Sequence, residues 1–279
     1  MELKESYVDP TVIEITENGK IQQRNLALYI VGGCNLRCDN CGTGSPFQQW
    51  ITPTYTVMDA LDVISSRFVL NEFRISGGEP LLHPDLPVIL DKSCRLFPCE
   101  VQLYTNAVEL KNGRHSRQII ELCNKYPQPR LIIWKHLELP GLEEWLSEHS
   151  IPHRINGNGR FARYDIIPET LSDASISYAN CIGNFCPCVI ENELHRCCRY
   201  GMRLMLVKHG VKGKYPLKCE FAYKSCDLTS ATNIDIKDYL LDRPFSECSY
   251  CAEHNTWVPE RQLTPDDTLS ICRTLTGNG

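Results

Sequence analysis

Three cysteines in a short loop that follows an apolar run place the strongest constraint on this sequence. The run is Leu26 to Val31, and the cysteines are Cys34, Cys38 and Cys41, at a spacing of C-x3-C-x2-C. A continuous apolar run of this kind is typical of a parallel strand that is buried on both faces. Three thiolates on the loop after such a strand can hold three irons of a cuboidal four-iron, four-sulfur cluster. The fourth iron would then have no protein ligand and would be open to a substrate or cofactor.

Zinc is the alternative metal for this loop, because thiolates also suit zinc. A structural zinc site takes four ligands, usually from two C-x2-C pairs. The loop offers three cysteines and no nearby histidine. The pattern therefore favours an iron–sulfur cluster over zinc.

The cysteine loop resembles the cluster-binding motif of the radical S-adenosylmethionine (SAM) enzymes, and two further segments extend the resemblance. Phe73 to Pro80 resembles the second-strand motif of that family, and Val101 to Asn106 resembles its third strand. The order and spacing of the three segments match the family across residues 25–106. One departure is Asn40, which stands before the third cysteine where the family usually has an aromatic residue that stacks near adenine.

The resemblance implies two cofactors, a four-iron cluster on the three cysteines and SAM bound to its open iron. An external one-electron donor such as flavodoxin or ferredoxin would reduce the cluster. Cleavage of SAM would then give a 5′-deoxyadenosyl radical that abstracts a hydrogen atom from the substrate. The residues that the resemblance assigns to SAM are Gly77, Gly78, Glu79, Pro80, Thr105 and Asn106.

Composition narrows the class of protein further. The chain has 279 residues, 42% of them hydrophobic and 23% charged, with a formal net charge of −5. These values are typical of an ordinary globular protein, and without a Lys/Arg-rich run they predict no nucleic-acid or membrane partner. Residues 1–6 lack the apolar core of a signal peptide, and no apolar run could span a bilayer. We therefore expect a cytoplasmic protein.

The cysteine content is the most unusual feature of the composition. The chain has 16 cysteines, far more than an average cytoplasmic protein. Such a number indicates either disulfides in a secreted protein or metal binding. In a chain of this length without a visible signal peptide, metal binding is the better interpretation.

Alternating strand and helix patterns predict an α/β fold with a parallel sheet and right-handed crossovers. The resemblance adds that this sheet is a partial (β/α)6 TIM-like barrel. All three motifs fall at the carboxyl ends of strands, where ligands bind in such sheets. We predict a lead-in hairpin over residues 1–24, a core over 25–165 and a small cysteine-rich unit over 166–279. The core is predicted to contain strands at 26–31, 73–76, 100–104, 131–134 and 151–155, with helices at 58–68, 85–96, 116–126 and 142–150.

A second group of cysteines marks the C-terminal unit. Cys181 and Cys197 flank a predicted hairpin with its turn at residues 191–193, and Cys248 and Cys251 form a distant C-x2-C pair. Together they offer four thiolates to one closed site. The arrangement resembles the twitch domain, a shortened form of the SPASM auxiliary-cluster domain, in which the turn usually carries glycine. Asn192 takes that place here, and asparagine tolerates positive φ.

On this resemblance we predict that the four cysteines hold a second, auxiliary four-iron cluster, although the ligand set has alternatives. Five further cysteines could replace any of the four or contribute to a longer set with two auxiliary clusters, and a zinc site at Cys248 and Cys251 is also compatible with the spacing. The five are Cys186, Cys188, Cys198, Cys219 and Cys226.

Arg160 is the remaining candidate for cofactor binding. The segment 159–162 resembles a Gly-Arg-Ala segment that is common in SPASM-type proteins. A guanidinium at this place could pair with the SAM carboxylate or with a charged substrate. A solvated loop arginine is an equally good interpretation. The sequence assigns no catalytic residue.

Three functions are compatible with these patterns. The first is dehydrogenation or epimerisation of a small sugar, cyclitol or nucleotide-sugar substrate, in which the auxiliary cluster takes an electron from the substrate radical. The second is modification of a ribosomal peptide; the short N-terminal lead-in does not predict the peptide-binding domain that such enzymes often carry, but a separate partner protein could supply that function. The third is a non-enzymatic electron carrier, which would have no need for an open iron or a Gly-Gly-Glu-Pro turn.

Overall fold

The structure of the chain is a computed structural model. It describes residues 13–39, 41–157, 160–162, 172–181, 186–206, 208, 225–251, 257–259, 262 and 264. For residues 160–162, 250 and 257–259 it describes the backbone only. None of the described helices is long and apolar enough to cross a membrane.

The centre of the molecule is a mixed and mostly parallel β-sheet. Its strands run in the order β10-β9-β8-β2-β3-β4-β5-β6, and β1 pairs with the start of β2. Within the described residues the sheet is open, with β10 and β6 at its two ends. The strands are β1 (Glu14–Ile15), β2 (Ile21–Val31), β3 (Phe68–Gly77), β4 (Glu100–Thr105), β5 (Pro129–Trp134), β6 (His153–Asn156), β7 (Arg160–Ala162), β8 (Cys188–Ile190), β9 (Glu193–His195), β10 (Cys226–Asp227) and β11 (Trp257–Pro259).

Helices connect the parallel strands β2 to β6, as the alternating pattern predicts. The predicted α/β class with a parallel sheet is therefore confirmed. The strand β7 pairs with β11 in a separate two-stranded sheet. The helices are α1 (Thr54–Arg67), α2 (Leu86–Leu96), α3 (Ser116–Lys125), α4 (Leu142–Glu148), α5 (Ala174–Ala179), α6 (Cys198–Met205) and α7 (Asn233–Leu241).

The main core lies between the sheet and the helices α1 to α4. Phe73 of β3 is fully buried there, and its ring stacks on Phe97 with centroids 4.1 Å apart. Alternate residues of each strand point into this core, for example Val101 and Leu103 of β4. Burying each such side chain stabilises the fold by about 1.5–3 kcal/mol. This packing fixes the strand ends that carry the predicted motifs.

Two details of the sequence-based prediction were wrong. β2 begins at Ile21 rather than at Leu26, so that residues 21–24 belong to the central sheet. The first helix, α1, begins at Thr54 rather than at residue 58, directly after Pro53, and has no side-chain cap. Proline suits this place, since its fixed φ is compatible with a helix start.

The cysteine-rich hairpin is part of the same sheet. β8 pairs in parallel with β2, with Ala27 opposite Cys188, and antiparallel with β9. The turn between β8 and β9 places Glu191 and Asn192 at positive φ, 51° and 68°, which confirms the predicted turn. The helix α6 follows and covers the face of β2 and β8 that lies opposite the main core, where Met202 and Met205 are buried.

Candidate active site

Three adjacent parallel strands end at the same edge of the sheet. β2 leads into the cysteine loop, β3 ends at Gly77, and β4 ends at Thr105. β3 lies between the other two strands in the sheet. The three motifs therefore meet, as expected for ligand sites at the carboxyl ends of parallel strands.

Two glycines allow the turn after β3 to lie directly on the cysteine loop. Gly77 has φ of +145°, and a Cβ atom there would lie 2.2 Å from the carbonyl oxygen of Val31. A Cβ atom on Gly78 would lie 2.1 Å from the carbonyl oxygen of Gly33. The amide of Gly78 donates to Val31 at 2.7 Å, and the amide of Glu79 donates to Gly33 at 2.9 Å. Any side chain at Gly78 would separate the two loops.

The carboxylate of Glu79 joins the second motif to the third. Its Oε1 accepts hydrogen bonds from the Leu81 amide at 3.0 Å and the Thr105 hydroxyl at 2.7 Å. Its Oε2 accepts the amide of Asn106 at 2.7 Å. Burial raises the pKa of Glu79 to about 7, although these three donors lower it. Because both oxygens accept N–H or O–H donors, the geometry fits the ionised carboxylate.

Asn106 connects the third strand to the cysteine loop. Its Nδ2 donates to Asn35 Oδ1 at 2.8 Å and lies 3.4 Å from Cys34 Sγ. Its Oδ1 accepts the amide of Val108 at 3.0 Å, which fixes the orientation of the side chain. The amide edge of Asn106 is thereby directed at the first predicted ligand of the cluster.

Each cysteine of the loop has a hydrogen-bonding partner at its sulfur. Cys34 Sγ accepts the amide of Leu36 at 3.3 Å, and Cys41 Sγ lies 3.1 Å from the hydroxyl of Thr43. Cys38 Sγ accepts Gln262 Nε2 at 3.2 Å. Hydrogen bonds to cysteine sulfurs are among the features that tune iron–sulfur clusters. The three sulfurs and their donors therefore fit a thiolate-bound cluster.

The electrostatics of the cysteine loop also favour a bound metal. Burial, together with the negative charges of Glu79, Cys41 and Cys38, raises the pKa of Cys34 to about 12 against the lowering effect of the Leu36 amide. Thiols this crowded cannot all ionise without a compensating cation. A bound metal supplies that charge and deprotonates the coordinating thiols.

Comparison with known proteins identifies the domain that carries the three motifs. The sequence profile of the Radical SAM superfamily matches residues 28–135, which include the cysteine loop, the Gly-Gly-Glu-Pro turn and Thr105-Asn106. The chain therefore carries a radical SAM domain. A radical SAM domain implies the four-iron cluster and SAM as cofactors, together with a source of reducing electrons.

The radical SAM domain is also the part that resembles curated proteins. It is 32% identical over 113 residues to 7-carboxy-7-deazaguanine synthase of Halobacterium salinarum, covering 39% of this chain and 40% of that protein. It is 32% identical over 92 residues to a probable GTP 3′,8-cyclase of Methanocaldococcus jannaschii, covering 32% of this chain and 30% of that protein. The matches thus span less than half the length of these relatives.

One solved structure similar to this chain is that of Streptococcus suis SuiB bound to the precursor peptide SuiA. The TM-score is 0.44 at 13% identity, and the alignment covers 82% of this chain and 69% of SuiB.

Outside the radical SAM domain, the four cysteines predicted for the second site line one cavity. It encloses about 550 Å³ of space free of atoms, part of it open to solvent. Burial raises the pKa of Cys248 to about 12, and the charges of Cys197, Cys251 and Cys181 contribute to that rise. The structure thus brings together Cys181, Cys197, Cys248 and Cys251 from three separate places in the sequence: after α5, after β9, and in or directly after the short 3-10 helix Ser246–Tyr250.

The alternative cysteines occupy different environments. Cys186 also lines the cavity, and its Sγ lies 2.8 Å from that of Cys198. Cys188 is fully buried in a small apolar cluster with Tyr29, and Cys226 lies on β10. Cys219 lies outside the described residues. Cys186 is therefore the strongest alternative ligand in the second site.

The structure describes two other predicted site residues only in part or not at all. Arg160 is the first residue of β7, and its side chain is outside the description, as is Asn40. Among the described residues, no three His, Cys, Asp or Glu side chains are grouped as ligands of a single metal ion. At the cysteine loop, sequence reasoning missed the contact of Gln262, which lies 224 positions after Cys38 in a segment without a motif.

Proposed function

We propose that this chain is a radical SAM oxidoreductase that dehydrogenates or epimerises a small polar substrate, with an auxiliary four-iron cluster in the cysteine-lined cavity. The observation that carries the proposal is the convergence of Cys181, Cys197, Cys248 and Cys251 on one cavity in a chain that has a radical SAM domain. Four thiolates can close a cluster completely, and such a cluster is suited to electron transfer rather than to substrate binding. When bound, the first cluster and SAM supply hydrogen-atom abstraction through the 5′-deoxyadenosyl group.

The residues of the first site act by holding the loops in place. Glu79 Oε2 accepts a hydrogen bond from the backbone amide of Asn106 in the third motif, and the side-chain amide of Asn106 faces Cys34 in the cysteine loop. We propose that this arrangement orients SAM at the strand ends and that the substrate lies beside it. Such placement is the main contribution that a protein makes when the cofactor carries the difficult chemistry.

The inner face of the sheet supports a polar substrate. The inner face is the face opposite the main core, and it is lined by the alternate residues of each strand that do not point into that core. Arg74 Nη2 lies 2.6 Å from Glu72 Oε2, and Arg130 Nε lies 2.6 Å from Glu100 Oε2. The guanidinium of Arg74 stands 5.8 Å from the centre of the Tyr104 ring. Charged and aromatic groups of this kind suit hydroxyl-bearing or anionic small molecules better than apolar ones.

The charges around the cysteine-lined cavity support electron acceptance there. Arg196, Arg199 and Arg203 line it together with one carboxylate, that of Glu247. Cationic side chains stabilise the reduced and more negative state of a cluster, because net charge is one of the factors that set its potential. We propose that this cluster accepts the electron from the substrate radical, which makes the reaction a net oxidation.

The named activities of the relatives agree with a small substrate. The GTP 3′,8-cyclase and the 7-carboxy-7-deazaguanine synthase are named for small-molecule reactions. Their similarity lies within the radical SAM domain, so it supports the shared chemistry more than the identity of the substrate. Epimerisation is the second candidate reaction, and it would require a cysteine thiol beside the substrate that returns a hydrogen atom from the opposite face.

The test is an anaerobic assay of the reconstituted protein with dithionite or with reduced flavodoxin or ferredoxin. We expect 5′-deoxyadenosine to form from SAM, and the rate to rise with a sugar, cyclitol or nucleotide-sugar substrate. Replacing Cys248 by alanine should leave SAM cleavage intact and stop net oxidation. Cys99→Ala is the matched control, because Cys99 packs against the main core, away from both sites. Absence of SAM cleavage would refute the enzyme, and net oxidation by the Cys248 variant would refute the auxiliary role.

A further inference from the structure

Two oppositely charged residues stand immediately before two of the cysteines in the cavity. Arg196 precedes Cys197 at the end of β9, and Glu247 precedes Cys248 in the 3-10 helix Ser246–Tyr250. Both charged side chains also line the cavity. The two segments are 51 positions apart in the sequence, so their relative position depends on contacts of this kind.

The two side chains form a buried ion pair. Arg196 Nη2 donates to Glu247 Oε1 at 3.1 Å and to Oε2 at 3.2 Å. The side chains are only 9% and 7% exposed. Arg196 Nη1 donates to Asp242 Oδ2 at 2.8 Å and approaches the Asp242 carbonyl oxygen at 3.3 Å. One guanidinium thereby connects the end of β9 to two places in the segment that carries Cys248.

Aromatic rings hold the same guanidinium. Its central carbon lies 4.4 Å from the centre of the Phe245 ring and 4.7 Å from that of Tyr239. Arginine combines bidentate hydrogen bonding with stacking on rings, which lysine cannot reproduce. The hydrogen bonds therefore fix the distance of the Arg196 guanidinium from Glu247, and the two rings fix its orientation.

A buried ion pair of this kind is weak evidence for stability alone. Removing two charges from water costs several kcal/mol per ion, and apolar residues of similar size often stabilise a fold as well or better. Fixing the register of two segments is the best-supported use of such a pair. Here the segments held in register carry the predicted ligands Cys197 and Cys248, each only one residue away, or about 3.8 Å between Cα atoms.

We propose that Arg196 and Glu247 are positioning residues for the metal site of the cysteine-lined cavity. The pair sets the distance between the backbones that carry Cys197 and Cys248, so that their thiolates face each other before metal binds. This inference rests on the auxiliary site of the proposed function. It adds that the retention of the metal depends on a contact that includes no metal ligand.

The test uses a parent variant in which Cys34, Cys38 and Cys41 are alanine, so that bound metal reports on the cavity alone. The measurements are metal content and the rate of metal loss to a chelator without oxygen. The variants are Arg196→Met, Arg196→Lys, Glu247→Gln and the Met/Gln double variant. Arg67→Met is the matched control, because Arg67 also anchors the C-terminal part, through Ala231 and Asn233, and does not line the cavity.

We expect Arg196→Met and Glu247→Gln each to accelerate metal loss by about tenfold or more, with Arg196→Lys between them and the parent. The double variant should lose metal no faster than the faster single variant, because the two residues act as a unit. Arg67→Met should stay within about twofold of the parent even where its unfolding temperature falls. If Arg196→Met does not fold, the near-isosteric Glu247→Gln variant still tests the role of the ion pair.

Different results would exclude the positioning role alone or the auxiliary metal site as a whole. Metal in the parent, with the Arg196 and Glu247 variants behaving like Arg67→Met, would overturn the positioning role and leave the auxiliary site intact. Additive effects in the double variant would also overturn it. A parent that holds no metal would overturn the auxiliary site and the positioning role together.

Discussion

Gln262 and Cys38 are joined by a hydrogen bond of 3.2 Å from the amide Nε2 to Sγ. The other end of the same side chain, Oε1, accepts the backbone amide of Arg37 at 2.9 Å. A residue from the far end of the chain thus closes the cysteine loop of the radical SAM domain.

This contact predicts that Gln262 tunes the first cluster. An N–H donor to a ligand sulfur stabilises the reduced cluster, so its removal should lower the reduction potential. Replacing Gln262 by glutamate keeps the acceptor for Arg37 but removes the donor to Cys38. We expect a lower potential in redox titrations followed by electron paramagnetic resonance, and SAM cleavage slower by about fivefold, the factor that corresponds to one hydrogen bond of about 1 kcal/mol. An unchanged potential would contradict the role.

Glu79→Gln should weaken the second motif. The carboxylate accepts three donors, and a carboxamide offers one oxygen in place of two and directs N–H groups at a neighbouring donor. We expect a loss of about 1–3 kcal/mol in the free energy of unfolding and weaker SAM binding, measured by thermal unfolding and by calorimetry. Glu109→Gln is the control, since that side chain is exposed and should change stability by less than about 0.5 kcal/mol. Equal stabilities of the two variants would argue against the hydrogen-bonding role.

Iron content should separate the two predicted clusters. The anaerobically reconstituted wild type should contain about eight irons, and the Cys34/Cys38/Cys41 triple alanine variant about four. Mössbauer spectra give the cluster type in each case. Four irons falling to none, with zinc present, would assign the C-terminal cysteines to zinc. About twelve irons in the wild type would indicate two auxiliary clusters instead of one.

The buried His83 should make stability depend on pH. Its Nδ1 accepts the Asp85 amide at 3.2 Å and its Nε2 faces the Thr52 carbonyl at 2.9 Å, so the neutral ring fits the site. Burial lowers its pKa below 6.5, and the unfolded chain therefore binds more protons as the pH falls. The stability from neutral His83 is present above the unfolded pKa and is lost below it, by at most about 1.4 kcal/mol per pH unit. His83→Gln should give a shallower slope in denaturant unfolding between about pH 5 and 6.5, and coincident slopes would show that the folded protein protonates His83.

The helices, strands and turns that could be predicted from the sequence are those that follow a local pattern of residue types. The strands and helices of the radical SAM domain follow from apolar periodicity, and the turn at Glu191 and Asn192 follows from the preference of asparagine for positive φ. The convergence of the three motifs follows from parallel topology, which brings the carboxyl ends of neighbouring strands together.

The contacts that the sequence did not predict are long-range and lack a periodic signal. Gln262 is a single polar residue, and Arg196 and Glu247 are isolated charges that suggest a solvated surface when each is considered alone. Their burial follows only from the packing of segments far apart in the chain. The pairing of β8 with β2 is also a tertiary event, because a strand of three residues carries no information about its partner.

That pairing has a consequence for any shortened form of this protein. β8 hydrogen-bonds in parallel with Ala27 and Leu28, and the amide of Ala27 also donates to Pro187 at 3.2 Å. A chain that stopped before residue 186 would leave this side of β2 as an exposed edge with unpaired amides and carbonyls. Exposed edges of this kind recruit strands from other molecules and promote aggregation. The C-terminal segment thus protects the strand that leads into the cysteine loop, so that expressing residues 28–135 alone is expected to yield an aggregating fragment.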